Sequence, residues 1–115
     1  YYQILDLTQP ATTRAVPKTD VVTTFEVAEH LPQASASHFV QLLVVHQPAV
    51  VFFGAATVFQ DRGMNPSHVN ENTFTYWIAK FRQEGYIPDL VATARMRVSL
   101  IQNPTFQKHM VRAWW

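Results

Sequence analysis

The chain has 115 residues, a formal net charge of +1, 48% hydrophobic and 15% charged residues, and no cysteine. This balance excludes a disordered charged tail, a disulfide framework and a thiolate zinc site, and it allows one modest core, hence a single domain over 1–115. The nine basic residues are scattered, which argues against a nucleic-acid partner, and no apolar run approaches the roughly 18 residues of a membrane span; a soluble, cytoplasmic protein with no membrane partner is expected.

Residues 1–7, YYQILDL, are a short apolar segment closed by Thr8, Gln9 and Pro10 and read as a strand. ATTRAVPKT (11–19) has no helical period and contains Pro17, so a loop or a poorly formed turn follows. DVVTTFEV (20–27) is β-branched and aromatic without clean alternation, the pattern of a strand buried on both faces of a parallel sheet. QASASHFVQLLVVHQ (33–47) sets Phe39, Leu42, Leu43 and His46 at helical spacing, with Ser35 or Ser37 to cap the start and Pro48 to end it.

AVVFFGAAT (49–57) is a second buried strand, ended by small residues that permit close backbone approach. VFQDRGMNPSHVNEN (58–72) is a polar loop, and loops beyond about 12 residues in compact domains are often functional. ENTFTYWIAKFRQEGY (71–86) predicts a helix whose Phe74, Trp77, Ile78 and Phe81 form a core stripe, with Gly85 at its C-terminal cap. IPDLVATARMRVSLI (87–101) fits a strand or a helix, and PTFQKHMVRAWW (104–115) a short helix.

The order strand, strand, helix, strand, loop, helix predicts an α/β fold: a Rossmann-like parallel sheet flanked by helices on both faces. Ligands of such sheets bind outside the carboxyl ends of the strands. Asp6, the Glu26 to His30 cluster, and the Gly54 to Thr57 segment with the His68 loop all fall at those ends.

Together, ILDLTQP, DVVTTFEVAEHLP, VVFFGAAT and HVNENTFTYWIAKFRQEGYIPD resemble the second half of a class I S-adenosylmethionine-dependent methyltransferase of the small-molecule or sugar type. The resemblance spans nearly the whole chain and implies a partial methyltransferase fold from the third strand onward. It implies that Asp6 accepts from the adenine amine with Leu7 packed nearby, and that Glu26 and Val27 lie beside the methionine part of the cofactor. His30, His68 and Asn70 would face a small-molecule acceptor, with His68 as the general base for a hydroxyl and His30 as the second choice.

The same resemblance places the glycine-rich cofactor loop, the first two strands and the last strand outside this sequence. None of the three glycines makes a GxGxG pattern. The chain alone is therefore expected to be inactive. A missing N-terminal half, another chain or a second copy would complete the sheet and cover Trp114 and Trp115.

The residues support a second chemistry. If Glu26 precedes a helical turn, Glu29 and His30 follow it at three and four residues, so all three can converge on one face, with His68 arriving from the loop. Two carboxylates and imidazole suit an octahedral ion such as Mg²⁺ or Mn²⁺. The ExxEH pattern with a distant histidine resembles the metal site of the small-RNA 3′-terminal 2′-O-methyltransferases. There the ion would hold the terminal ribose hydroxyls.

Structural readings stand beside each of these. Acidic residues at a helix start explain Glu26 to His30, an Asx turn explains Asp6, and loop ordering explains His68. His38, His46 and His109 show no partner in the sequence and read as helix or surface residues. A third function class is a non-catalytic remnant serving as an assembly or interaction module.

Overall fold

The computed structural model describes residues 3–58, 60 and 63–105. Two strands, β1 (Val21–Phe25) and β2 (Val50–Gly54), pair in parallel with Val21 opposite Val50 and Phe25 opposite Gly54. Helix α1 (Ala36–Val44) is the crossover between them, and α2 (Phe74–Gln83) and α3 (Leu90–Gln102) follow β2. A parallel pair needs such a crossover, since a tight hairpin cannot reverse the chain twice. The described residues thus form an α/β domain built on a two-stranded parallel sheet.

The core joins Ala36, Phe39 and Val40 of α1 to Trp77 of α2 and to Ala28 and Ala55, the small residues just past each strand. Phe53 of β2 packs on this cluster, 5.1 Å from both Trp77 and Phe81. Phe39 and Val40 are at most 2% exposed, and each fully buried large apolar side chain contributes roughly 1.5–3 kcal/mol. Gln41 to Glu84 and Lys80 to Ser37 hydrogen bonds hold α1 against α2 at the surface.

Among the described residues the opposite sheet face is open, which corrects the expectation of a sheet flanked on both faces. Val21, Phe25, Val50 and Phe52 share that face by register and are each 38–50% exposed. A continuous apolar run fits burial on both faces, yet the run does not itself supply the second covering layer.

Residues 3–7 are not a strand, a second correction. Ile4 is 92% exposed, and no neighbour pairs with this segment's backbone among the described residues. The chain instead turns at Asp6, whose carbonyl accepts from Gln9 N, and enters a 3-10 helix at Pro10–Ala15 where a loop was expected. His38, in α1 as expected, donates from Nε2 to Gln9 O, and the exposed His46, just past the helix, donates to Val16 O, so both tie the 10–15 turn to this part of the chain.

The ambiguous segment after Pro88 is helical because Asp89 caps it, its carboxylate accepting from Ala92 N at 2.8 Å. Helix α2 is capped likewise by Thr73 on Tyr76 N, and Gly85 follows its end with φ +84°. Ser35 occupies the N-cap of α1 without a side-chain bond. Phe74 leaves the expected core stripe: it is 48% exposed, beneath the Arg97 guanidinium of α3 at 5.0 Å. The helix expected over 104–115, with His109, Trp114 and Trp115, lies outside the described residues but for its first two positions.

Candidate metal centre at the carboxyl ends of the strands

Glu26 is the pivot of the site. Its N–H donates to Gly54 O at 3.1 Å, so the ladder still holds its backbone, while its φ of +55° turns the chain out of the sheet. A non-glycine residue in this left-handed region costs about 1–2 kcal/mol. The turn leads into a single 3-10 helix, Ala28–His30, closed by His30 N to Val27 O and Leu31 N to Ala28 O. Glu29 therefore points inward, 0% exposed, and His30 lies at the surface.

The polar loop after β2 is fastened onto this turn. Asn65 nucleates it, with Oδ1 accepting from Ser67 N and Oγ, and its carbonyl accepting from His68 N. Val69 N and Asn70 N then both donate to Glu29 O, at 2.9 and 3.0 Å. The buried Asn70 side chain donates to Ala28 O and receives from Asn72 Nδ2. These bonds bring His68 beside His30, ring centroids 4.9 Å apart and nearly perpendicular.

Glu29, His30 and His68 each offer one ligand atom within 4.8 Å of the others. His30 Nδ1 lies 3.1 Å from Ser67 O, and a carbonyl only accepts, so Nδ1 carries a proton. His68 Nδ1 lies 2.8 Å from the Glu71 carboxylate, which fixes the same tautomer. With Nδ1 so engaged on each ring, Nε2 is the nitrogen that a metal ion would meet. Both carboxylate oxygens of Glu29 are buried with no hydrogen-bond partner. A buried carboxylate without donors is costly unless a cation joins it, and two imidazoles with one carboxylate form a familiar divalent set. The donors present fit a divalent ion.

Glu26 belongs to the fringe of this group. Its Oε2 accepts from Gln60 Nε2 at 3.0 Å, and its buried Oε1 has no partner. Burial, and then the charge of Glu29, raise its pKa above the ordinary 4.5, against the opposing pull of the Gln60 bond and the two histidines. Of the four residues expected as a metal set, three meet within ligand distance of one another and Glu26 stands beside them.

The remaining expected residues divide. Asp6 is exposed, and its Oδ1 accepts from Thr8 N at 2.9 Å and Thr8 Oγ1 at 2.7 Å, bonds that lower its pKa. That is the Asx turn anticipated as its structural alternative. Leu7 and Val27 pack against the core. Asn70 braces the loop on Ala28. Sequence reasoning missed Ser67, Gln60 and Glu71, the groups that orient His30, Glu26 and His68. Only Glu71, three residues after a histidine, left any signal.

Comparison with protein-family models, with curated proteins and with solved structures finds no match to this chain. Among the described residues no helix is long and apolar enough to cross a membrane.

Proposed function

We propose that this chain is the acceptor-side part of an S-adenosylmethionine-dependent methyltransferase in which Glu29, His30 and His68 hold a divalent cation, Mg²⁺ or Mn²⁺, that positions a hydroxyl acceptor. The observation that carries the reading is Glu29: a fully buried carboxylate with two unpartnered oxygens beside two imidazoles locked in one tautomer. A bound ion lowers the pKa of a coordinated hydroxyl. With such an ion bound, Glu26, whose Oε1 is buried without a partner and whose basicity is raised by burial, would take that proton. His68 and His30 serve as ligands in this account. In the metal-free version His68 is the base, but that version leaves the buried Glu29 oxygens unexplained.

Methyl transfer is an in-line displacement, and the protein's task is alignment and proton removal. Leu7 and Val27 are the chain's contributions to the cofactor side, and no glycine-rich cradle lies within the sequence. That cradle would come from another segment or chain. The acceptor is a small-molecule hydroxyl or, where two neighbouring hydroxyls are held at once, the ribose end of an RNA.

One observation favours a second reading, an assembly module: Val21, Val50 and Phe52 form an apolar sheet face that no described residue covers. Calorimetric titration with S-adenosylhomocysteine, with and without Mn²⁺, separates the two. Binding strengthened by Mn²⁺ supports methyl transfer. A folded chain that does not bind Mn²⁺ refutes the metal-dependent reading and leaves the assembly module.

A further inference from the structure

The metal reading rests on Glu29, His30 and His68, yet the geometry points to a fourth residue that governs the centre without touching the ion. We infer that Glu71 is the positioning carboxylate of the site, holding His68 in the tautomer and orientation that ligation requires. Its Oε1 accepts from His68 Nδ1 at 2.8 Å, with both side chains largely buried, 8% exposed for His68 and 13% for Glu71. Bonds of this length between a ring N–H and a carboxylate are charge-assisted and directional.

Glu71 is held in place on either side. Asn70 is anchored to Ala28 O, and Asn72 is tied to Asn70 Oδ1, so the backbone carrying Glu71 is in register with the same turn that carries Glu29 and His30. Metal-ligating histidines commonly donate their second N–H to a carboxylate or carbonyl, which fixes the ring and raises its basicity. Here the two histidines use both kinds of partner. His30 is oriented by the backbone carbonyl of Ser67, and His68 by the side chain of Glu71. Glu71 is thus the side chain through which ligand orientation can be changed while all three ligands remain.

A purely structural role, closing the loop between His68 and α2, predicts a different outcome, so tautomer and affinity are measured together. In the metal-free full chain, ¹⁵N NMR of the histidine rings should find His68 protonated on Nδ1. Glu71→Leu should shift that ring toward Nε2–H and weaken Mn²⁺ binding by about 10- to 100-fold. Glu71→Gln keeps an acceptor and should retain the Nδ1–H form with a loss of less than about tenfold.

A wild-type His68 protonated on Nε2 overturns the inference, whatever the variants do. So does wild-type Mn²⁺ affinity in a folded Glu71→Leu chain, or a Gln variant as defective as the Leu variant. Glu29→Met, measured alongside, tests the underlying reading. If it still binds Mn²⁺ normally there is no metal centre at Glu29. If it loses binding while Glu71→Leu does not, only the positioning role falls.

Discussion

Replacing Glu29 by methionine should make the metal-free protein more stable and its metal-bound form unattainable. The Glu29 side chain is fully buried, and neither oxygen has a donor. Its structural bonds run through its backbone carbonyl, which accepts from Val69 and Asn70 and is untouched by the substitution. Exchanging an uncompensated buried polar group for an apolar one of similar shape typically recovers about 1–3 kcal/mol.

In the parent, Mn²⁺ at a hundred times its dissociation constant adds about 2.7 kcal/mol to stability, a Tm rise of roughly 10 °C for a domain of this size. Thermal unfolding followed by circular dichroism, with Mn²⁺ or with a chelator, measures both effects. Glu29→Met should unfold several degrees above the chelated parent and show no response to Mn²⁺. A variant less stable than the chelated parent that still gains from Mn²⁺ would refute the argument.

Further expectations concern single groups. Glu26 has a raised pKa in the folded protein, so at higher pH the folded state gives up a proton it holds more tightly than the unfolded chain does; its favourable contribution is complete below about 4.5 and is lost as pH rises through the folded value. Glu26→Gln should therefore flatten this part of the pH–stability profile and stabilise the metal-free protein at neutral pH, as read by denaturant unfolding at several pH values. Thr73→Ala removes the cap on Tyr76 N and should cost about 1 kcal/mol in chemical unfolding, with no change in Mn²⁺ affinity. Phe39→Ala opens the core beneath α1 and should cost about 3–5 kcal/mol, enough to unfold much of the population at 37 °C.

The two strands and the first two helices were legible because VVTTF, VVFFG and the Phe39 to Leu43 and Phe74 to Phe81 spacings are local patterns with a single sensible burial. The 3–7 segment misled for the same reason: an apolar run predicts a strand only where a neighbour exists, and here Asp6 bends the chain through its own hydrogen bonds. The open sheet face was illegible because apolar runs announce a need for cover and not its presence. For 87–101 the deciding feature was Asp89, whose position three residues before Ala92 is a capping signal outweighed by the β-branched residues around it.

The candidate site was half legible. Spacing grouped Glu26, Glu29 and His30, and the loop after the second strand with the family resemblance nominated His68, but neither could separate Glu26 from the ligand set. That depends on the left-handed Glu26 backbone and on the Gln60 bond, and neither follows from residue order. The Glu71 partnership depends on Asn65 turning the loop through its own near neighbours and on Asn70 reaching Ala28 at a separation of 42, and the second contact has no local signal.

The most direct test of the account is anomalous diffraction from crystals of the chain grown with Mn²⁺. The account predicts one anomalous peak within about 2.0–2.3 Å of a Glu29 oxygen and of a ring nitrogen from His30 and from His68. A peak elsewhere, or an ion-free centre in crystals that hold Mn²⁺ at other sites, would contradict it.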